Sequence, residues 1–386
     1  MKVLFISGAD QKYGTYHITI QLLANMTNTN EHIDFIVLTQ KHGPINEWCD
    51  RNQIVNYVIP YRYCVYYPSS NRLMRAIKHT LKTIQVSSFN AFALYRIKKL
   101  GLMNDVDIIH TNINRDLIGV YLARKYRIPN ITYLREFSRS HFHLEPIYKK
   151  QIELMNEYSS RFIAISNAVK EDWIDYGIDG TKIDVIYDGV DTKLYNGKRS
   201  YSTDSHSLRI VMCGAIYEGK GQFDLLLAIA PLIKAGASIY ADFYGDSSND
   251  NYYRALKDFV AKNELSKNVF FKGHSNNLNE VLNNYDVGVV CSRAEGFGLV
   301  TIEYLLSGLI VIASDTGANS EILQNGKYGL IYPCGNPREL QNAIARIYEN
   351  NGLIIDWGKN AVGYAKREFS IENTVSKLMK KYYDLI

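Results

Sequence analysis

Two carboxylates stand out in the stretch EGFGLVTIEYLLSG, which runs from Glu295 to Gly308. Apolar runs of the kind typical of buried strands lie directly before and after it. A glycine-containing loop and a short helix would therefore join two strands, with Glu295 in the loop and Glu303 about one turn into the helix. Carboxylates accept hydrogen bonds from sugar hydroxyls, whereas the N-terminus of a helix favours a phosphate. The pattern indicates a site for a ligand that is part phosphate and part sugar.

Lys220 is a second candidate, because it lies between Gly219 and Gly221 in a predicted strand-to-helix loop. Small neighbours let a diphosphate approach the backbone, and the ammonium group adds a positive charge. The alternative is a solvated loop lysine with no ligand. In a parallel sheet this loop would share its edge with the Glu295 loop, which favours the phosphate site.

Polar residues of the first half lie at or just past the C-terminal ends of predicted strands: His110, Asn112, Arg135, Glu136 and Ser166. Such strand ends converge on one crevice in an α/β sheet, so we expect these side chains to lie near each other. A surface loop is the alternative for any one of them alone.

A glycine pair, Gly8 and Gly14, follows the first predicted strand without matching the GxGxxG spacing of a dinucleotide site. Two interpretations remain open, a plain turn and a glycine loop that brings backbone N–H groups near a ligand.

The elements that position these residues alternate between strand and helix along the chain. A polar segment at 196–207, NGKRSYSTDSHS, is typical of a linker, and the alternation restarts at Leu208. We therefore predict two α/β domains, at 1–195 and 208–368. The last helix, within 369–386, either caps the second sheet or crosses back to the first domain. A length of 386 residues and a hydrophobic content of 46% are sufficient for two packed cores.

The segment 71–100 is predicted to be helical, and it contains no Asp or Glu. Apolar residues recur there at helical spacing and basic residues fall on another side: Leu73, Ile77, Leu81 and Ile84, against Arg75, Lys78 and Lys82. One interpretation is an amphipathic surface helix with a solvated basic face. The other is attachment to an anionic membrane surface.

Several other functions are disfavoured. The chain has no HExxH, GxxxxGK[ST] or GxSxG motif, and its single DxD, Asp105-Val106-Asp107, begins a predicted strand and is interpreted as structural. We therefore predict no metal site and no cofactor. The net charge of +5 is mild, and we predict no nucleic-acid partner. Scattered cysteines without a CxxC pair, and no apolar run of about 18 residues, favour a cytoplasmic protein.

The order of these motifs resembles that of the retaining GT-B glycosyltransferases of family 4. The run from Glu295 to Glu303 looks like their E-x7-E signature, and IVIASDTG at 310–317 continues the match. Weaker matches occur in order along nearly the whole chain, at Gly14-Thr15, 107–110, Ile165-Ser166, 185–191, 214–221 and 271–274. The resemblance implies two Rossmann-like doubly wound parallel-sheet domains facing across a cleft, with the C-terminal helix crossing back to the N-terminal domain.

The resemblance also implies roles for individual residues. Glu303 would hold the ribose of a nucleotide-sugar, Glu295 and the Phe297–Leu299 backbone the donor sugar, and Lys220 the diphosphate. The full set of implied donor-binding positions is Gly14, Gly214, Lys220, Gly245, Gly273, His274, Glu295, Gly296, Phe297, Gly298, Leu299 and Glu303. The candidate catalytic residues are Glu295, Lys220, Arg135 and Glu136. The acceptor would lie on the first domain, near His110, Asn112, Arg135 and Ser166.

Two departures from the family pattern are visible. Ala215 stands where the family usually has an arginine after Gly214, so another cation, Arg135 or Arg293, is expected to assist the diphosphate. Arg135-Glu136 stands where the family often has histidine. A Leu-Arg-Glu variant is familiar among polysaccharide-assembly members.

The leading hypothesis is a cytoplasmic, metal-independent hexosyltransferase that uses an NDP-sugar, most simply a UDP-sugar. The departing phosphate would help to deprotonate the acceptor on the same face of the sugar. The acceptor would be a glycan, lipid-linked at the inner face of the cell membrane, in the synthesis of a surface polysaccharide or envelope glycan. The alternatives are a GT-B sugar-nucleotide epimerase and a catalytically idle partner subunit. Oligomeric state is left undetermined.

Overall fold

The computed structural model describes residues 1–8, 14–28, 32–138, 144–195, 207–247, 249–350 and 352–386. Contacts divide the chain into two compact units, the first comprising Met1–Val190 and Ile371–Ile386 and the second Asp191–Ser370. The predicted linker at 196–207 lies, apart from Ser207, outside the described residues. We describe each unit by itself.

The first unit follows the strand–helix alternation expected of its apolar runs. Its strands are β1 (Lys2–Ser7), β2 (Asp34–Thr39), β3 (Val55–Val58), β4 (Val65–Tyr66), β5 (Ile108–Thr111), β6 (Asn130–Leu134), β7 (Glu145–Pro146), β8 (Arg161–Ala164) and β9 (Ile183–Val185). Its helices before the second unit are α1 (Gly14–Thr27), α2 (Pro44–Arg51), α3 (Arg72–Lys99), α4 (Ile118–Tyr126), α5 (Gln151–Tyr158) and α6 (Asn167–Asp175).

Seven of these strands form a parallel sheet in the order β3-β2-β1-β5-β6-β8-β9. Every residue of β5 and β6 is buried. Since successive side chains of a strand point to opposite faces, both faces of the sheet centre are covered. The chain winds outward from β1 to β3, returns to β5, and winds the other way. The point of reversal therefore lies between β1 and β5.

The second unit repeats this plan with six strands. They are β10 (Leu208–Cys213), β11 (Ile239–Tyr244), β12 (Val269–Gly273), β13 (Val287–Val290), β14 (Ile310–Ser314) and β15 (Leu330–Tyr332). The helices are α7 (Gln222–Lys234), α8 (Asp250–Lys262), α9 (Leu278–Val281), α10 (Leu299–Leu306), α11 (Asn319–Ile322), α12 (Pro337–Glu349) and α13 (Gly352–Glu368). The strands are parallel in the order β12-β11-β10-β13-β14-β15, so the reversal lies between β10 and β13.

The C-terminal helix α14 (Ile371–Tyr383) belongs to the first unit, which decides between the two predicted positions. The Ile371 amide donates to the carbonyl of Val190 at 3.0 Å, and the Thr374 hydroxyl donates to the carbonyl of Tyr187 at 2.8 Å. Lys381 pairs with Asp184 at 2.7 Å. The prediction that the last helix crosses back to the N-terminal domain is confirmed.

Helix α3 is the longest helix of the first unit and spans the predicted basic segment. Asn71 caps its N-terminus by accepting from the Met74 amide at 3.1 Å. Only its second half, from Val86 onward, buries side chains in the unit. Within the described residues, no helix combines the length and apolarity needed to cross a membrane.

Candidate functional site

The loops that follow β10 and β13 lie side by side at the point of strand reversal in the second unit. The two strands pair directly, with Ile210 opposite Val287. Beyond the strands, the Arg293 amide donates to the carbonyl of Gly219 at 2.8 Å, which joins the two loops. Open α/β sheets bind ligands at this position, outside the carboxyl ends of the strands. The topology therefore brings the Lys220 loop and the Glu295 loop to one place, as their motifs predicted.

Lys220 and Glu295 form an ion pair at the centre of this place. Lys220 Nζ lies 2.8 Å from Glu295 Oε2, and the Ser292 hydroxyl donates to the same oxygen at 2.9 Å. Burial lowers the pKa of Lys220, but the charge of Glu295 and its hydrogen bond outweigh this and raise it. The two side chains remain 23% and 16% exposed, so solvent or a ligand can reach them.

The backbone around Glu295 is held by close approach of a neighbouring loop. The Ala318 amide donates to the Glu295 carbonyl at 3.0 Å. A β-carbon at Gly317, whose φ is +57°, would lie 1.8 Å from that carbonyl oxygen, so this position requires glycine. Gly298, with φ at +94°, begins α10 immediately beside the Glu295 side chain. The carboxylate and the N-terminus of α10 are thus fixed next to each other, where the helix dipole favours an anion.

Glu303 lies one turn into α10 and is linked by a hydrogen bond to the buried Tyr195. Burial raises the pKa of Glu303 to about 7, and the bond from Tyr195 partly opposes this shift. The ionised form of a buried carboxylate is stabilised by any further hydrogen-bond donor that replaces the water molecules removed by burial. A ribose diol could supply two such donors.

Three of the predicted donor-site glycines stand at the ends of neighbouring strands. The Gly214 amide donates to Tyr244, and the Gly245 amide donates to Gly273, each at 2.9 Å. A β-carbon at Gly214 would lie 3.8 Å from Cε of Lys220, which places this glycine beside the ion pair. Gly273 and the exposed His274 follow at the end of β12, farther along the edge of the sheet.

The remaining predicted donor positions fall on or near α10 and α1. Gly296 and Leu299 are partly buried, and Phe297 and Gly298 are buried. Gly14 is the first residue of α1, and the preceding loop at 9–13 lies outside the described residues. A phosphate contact from Gly14 stays a prediction.

In the first unit, His110 is a core residue. Its ring stacks between Phe5 and Tyr133, with centroid distances of 4.2 and 4.9 Å, and Nδ1 lies 2.5 Å from the hydroxyl of Tyr382. Burial, and to a lesser degree the charge of Arg135, lowers its pKa to about 3. The side chain has no exposed surface, so the geometry does not support its predicted place on the acceptor side.

Arg135 is enclosed by acceptors of its own unit. Its Nη1 lies 2.8 Å from both carboxylate oxygens of Asp188, and Nε and Nη2 donate to Oδ1 of Asn112 at 3.1 and 2.9 Å. The side chains of Arg135 and Asp188 are 6% and 5% exposed. Asn112 is itself buried and donates to Thr19 at 3.0 Å. Arg135, Asp188 and Asn112 therefore form a buried hydrogen-bond network that joins the ends of β5, β6 and β9.

The other two first-unit residues have different surroundings. Glu136 pairs with Arg115, and both line a small pocket of this unit. Burial raises the pKa of Glu136, and Arg115 opposes that shift. Ser166 caps α6, with its hydroxyl accepting from the Val169 amide at 3.1 Å. Sequence position alone had grouped them with His110, but burial separates the capping serine from the more accessible glutamate.

Neither arginine expected to replace the family cation is available as an unpaired charge. Arg293 donates to both carboxylate oxygens of Asp224, at 2.6 and 2.9 Å. Arg135 is held by Asp188 in the first unit. Arg135 is almost fully buried, at 6% exposed, so its expected help to the diphosphate is not supported. Arg293 is 42% exposed and its amide joins the Gly219 loop, so its role in place of the arginine missing at Ala215 stays a prediction. Lys220, like Arg293, is paired with a carboxylate at the reversal point of the second unit.

The structure adds two residues that the motifs did not indicate. Ser292 orients Glu295, and its position three residues earlier in the same loop could have suggested this. Tyr195 contacts Glu303 from a distant part of the chain, and no spacing rule connects them. Among the described residues, no three His, Cys, Asp or Glu side chains come together as ligands for a metal ion. Asp107 accepts from the Lys2 amide at 2.7 Å, in keeping with its structural interpretation.

Comparison with known proteins yields relatives over the full length of the chain. An uncharacterized glycosyltransferase of Methanocaldococcus jannaschii is 26% identical over 301 residues, covering 75% of this chain and 79% of that protein. The Escherichia coli UDP-Gal:alpha-D-GlcNAc-diphosphoundecaprenol alpha-1,3-galactosyltransferase is 23% identical over 379 residues, covering 92% and 90%. The crystal structure of Anabaena HepE in complex with UDP superposes with a TM-score of 0.80 at 20% identity, over 100% of both chains.

Two family models match consecutive parts of the sequence. The model of Glycosyltransferase Family 4 matches residues 21–194, and the model of Glycosyl transferases group 1 matches residues 197–363. The boundary between the matches falls close to the boundary between the two units. Together with the two parallel-sheet units, these matches show that the chain has the GT-B fold and is an enzyme of the group 1 glycosyltransferases.

Proposed function

We propose that this enzyme transfers a hexosyl group, with retention of anomeric configuration, from a UDP-sugar to a glycan acceptor. The observation that carries the proposal is the Lys220–Glu295 pair at the strand reversal of the second unit, 2.8 Å long and partly exposed. A cation and a carboxylate side by side suit the two halves of a nucleotide-sugar, because the diphosphate needs the first and the sugar hydroxyls need the second.

The donor would rearrange this pair on binding. The diphosphate would attract the ammonium group of Lys220, and Glu295 would then accept hydrogen bonds from the transferred sugar. The N-terminus of α10 begins beside Glu295 and would add its dipole to the stabilisation of the leaving phosphate. Glu303, lower on the same helix, would accept from the ribose. Phosphate departure and hydroxyl attack on the same face would retain the configuration.

The choice of UDP is supported by two relatives. HepE, which has the same fold, is described in complex with UDP. The E. coli relative uses UDP-galactose according to its name, and its acceptor is a sugar linked to diphosphoundecaprenol. By analogy we propose a lipid-linked acceptor and a role in the assembly of a surface polysaccharide or envelope glycan at the cytoplasmic face of the cell membrane. Glu136 and Arg115, which line the first-unit pocket, are the acceptor-side groups that this proposal favours.

A panel of NDP-sugars tests the proposal. We expect one or two UDP-sugars to raise the thermal transition of the purified enzyme and to be hydrolysed slowly without acceptor, releasing UDP. Equal responses to GDP- and ADP-sugars would overturn the choice of UDP. Conversion of the sugar without release of nucleotide would instead establish an epimerase, and binding without any turnover, even with added lipid-linked glycans, would establish an idle partner subunit.

Metal independence is a separate expectation within this proposal. Since Lys220 and the helix N-terminus would carry the charge of the leaving diphosphate, activity should be unchanged within twofold after treatment with EDTA. The measurement is the rate of UDP release with and without the chelator, with added Mg²⁺ as the control. Abolition by EDTA and recovery with Mg²⁺ would refute a metal-free mechanism.

A further inference from the structure

Helix α3 carries a row of exposed side chains that is separate from its contacts with the first unit. Seven exposed residues, spaced alternately by three and four, form this row, which is the seam of α3: Met74, Ile77, Leu81, Ile84, Ser88, Ala91 and Tyr95. The four apolar side chains of its amino-terminal half are 45%, 44%, 64% and 60% exposed. Large apolar side chains aligned on one face of a folded unit indicate a surface that another structure covers.

The seam lies on the side of α3 opposite to the core. The residues of α3 that are buried in the unit are Val86, Asn90, Ala93 and Ile97. At about 100° per residue, their mean direction is about 180° around the helix from that of the seam. His79 helps to hold this rotation, since its Nε2 lies 2.8 Å from the carbonyl oxygen of Ile147. The seam is therefore not an uncovered margin of the core.

The spacing of the seam is that of a coiled coil. Alternating steps of three and four residues are the a and d positions of a heptad repeat, whose side chains interlock with those of a second helix. The seam extends over just more than three heptads, from Met74 to Tyr95, and is about 33 Å long. None of its residues is charged. This spacing favours another helix with a matching seam as the partner.

The basic side chains of α3 do not accompany the seam. Arg75, Lys78 and Lys82 point on average about 120° around the helix from the seam, and only about 60° from the buried face. With the seam facing a bilayer, they would therefore point away from the lipid phosphates that attract such residues. The positions directly beside the seam are mostly uncharged: Thr80, Gln85, Ser87, Phe92 and Leu94.

The sizes of the seam residues favour an antiparallel second copy of the same helix. Large residues occupy the first half, whereas the small Ser88 and Ala91 lie in the second half. When two antiparallel α3 helices overlap completely, the two-fold axis passes near Val86, so that Leu81 faces Ala91 of the second copy and Ile84 faces Ser88. Large residues then pack on small ones on both sides of the axis. A parallel pair would set small residues against small ones and leave a gap.

We infer that α3 joins two copies of this chain through the seam, as an antiparallel coiled coil. The body of each first unit then lies on the outer side of the helix pair, because the buried face of each helix is opposite to its seam. Lys78, which of the three basic residues above lies nearest to the seam, would be about 24 Å from its own copy. That distance exceeds the Debye length of about 8 Å at physiological salt, so these charges do not oppose pairing.

Sedimentation velocity of the full chain over a range of concentrations tests the association. We expect a reversible dimer at about 100 µM that dissociates on dilution. Added salt should leave the dimer intact or strengthen it, since α3 has no Asp or Glu and salt screens any repulsion between the copies. The triple change Ile77→Ser, Leu81→Ser, Ile84→Ser should weaken association at least about 100-fold, because it removes apolar surface that the dimer buries.

A size swap tests the antiparallel register. Ala91→Leu would overpack against Leu81 of the second copy and should weaken the dimer by about 10-fold or more. Leu81→Ala would leave a cavity at the same contact and should weaken it by a similar factor. The combined variant Leu81→Ala, Ala91→Leu again has one large and one small residue at each contact. Its association should therefore recover to within about threefold of the wild type, whereas additive losses would contradict this register.

Disulfide cross-linking tests the orientation. In the antiparallel pair, the thiol of Gln85→Cys would lie about 3 Å along the helix axis from its copy, and that of Leu73→Cys about 39 Å. We therefore expect oxidation to link two copies of the Gln85→Cys variant and not of the Leu73→Cys variant. The wild-type chain controls for the native cysteines. Linkage of both variants would show a parallel pair and overturn the antiparallel dimer.

A matched control lies in the second unit. Leu227→Ser, Tyr240→Ser, Phe270→Ser alters three side chains that are also exposed, and it should leave the dimer unchanged. Circular dichroism should be preserved in all variants because every changed residue is exposed. A wild-type chain that stays monomeric at about 100 µM would overturn the inference. So would an equal loss in the control, or a monomeric wild type that co-sediments with phosphatidylglycerol vesicles unless it carries the α3 serine changes.

Discussion

The two units share the same arrangement of parallel strands, yet the charged side chains at their strand ends differ in how deeply they are buried. In the first unit, Arg135 and Asp188 form an ion pair whose side chains are 6% and 5% exposed. In the second, Lys220 and Glu295 form a pair that is 23% and 16% exposed. Both pairs have the same 2.8 Å separation, so distance does not distinguish them.

Burial and the supply of neighbouring acceptors make the difference. Arg135 has Asn112 as an additional acceptor and Tyr133 under its guanidinium, 4.6 Å from the ring centre. A charge that is desolvated and fully bonded holds a structure together, but it cannot easily exchange partners. Lys220 shares Glu295 with a single serine and keeps contact with solvent, so a phosphate can compete for it. Position at the end of a strand therefore identifies residues that could bind a ligand, and the exposure of each side chain shows which of them a ligand can reach.

The largest effect that tests this comparison is on stability. Arg135→Ala leaves the Asp188 carboxylate buried without its partner, and we expect a loss of about 3–5 kcal/mol in the free energy of unfolding. Thermal or urea unfolding of the full chain measures it. Donor affinity, measured well below the transition temperature, should be unchanged because the donor site lies in the second unit.

The double variant Arg135→Ala, Asp188→Ala is the matched control. It removes both charges, so it should be more stable than Arg135→Ala alone. If Arg135→Ala keeps its stability and loses activity, Arg135 contacts the substrate, as its sequence motif predicted, and the contrast between the units is lost.

The next effect is on catalysis. Lys220→Met should lower kcat by about 10²–10³-fold, since it removes the cation that we assign to the leaving diphosphate. Its effect on the thermal transition should be small, because a partly exposed ion pair contributes little to stability. Lys234→Met, on the exposed side of α7, controls for the loss of one charge. A Lys220 variant that is strongly destabilised but fully active would show that the Lys220–Glu295 pair, like the Arg135–Asp188 pair, serves stability and not catalysis.

A smaller effect is expected on donor affinity. Glu303→Ala should raise the Kd for UDP by about 10- to 100-fold, because it removes a charged hydrogen-bond acceptor for the ribose. Isothermal titration calorimetry measures it, with the exposed Glu339→Ala as control. Unchanged affinity for UDP would remove Glu303 from the site.

The raised pKa of Glu303 gives the same assignment a pH signature. The ionised carboxylate accepts from the ribose, and burial raises its pKa to about 7, so its contribution should increase from pH 6 to pH 8. UDP also ionises near pH 6. The relevant quantity is therefore the difference between the wild type and Glu303→Gln, which should grow with pH.

Much of the fold followed from local patterns. The alternation that was predicted to restart at Leu208 does so with β10, because a continuous apolar run of this length suits a sheet buried on both faces. The helix at 71–100 was also predicted to within a residue at either end. The exposure of its apolar residues Leu73, Ile77, Leu81 and Ile84 was not predicted, because periodicity identifies a helix face but cannot state what covers it.

The candidate site divides in the same way. The residue types and spacing of Glu295, Glu303 and Lys220 were sufficient to locate a phosphate-and-sugar site, since loops after neighbouring parallel strands must meet at one edge. The sequence alone thus determined the fold class, the order of the motifs and the residues worth testing. Tertiary structure alone decided that Arg135 is held by Asp188, that His110 is enclosed by aromatic rings, and that Tyr195 reaches Glu303. These outcomes depend on burial and on partners far apart in the chain, and local spacing does not encode either.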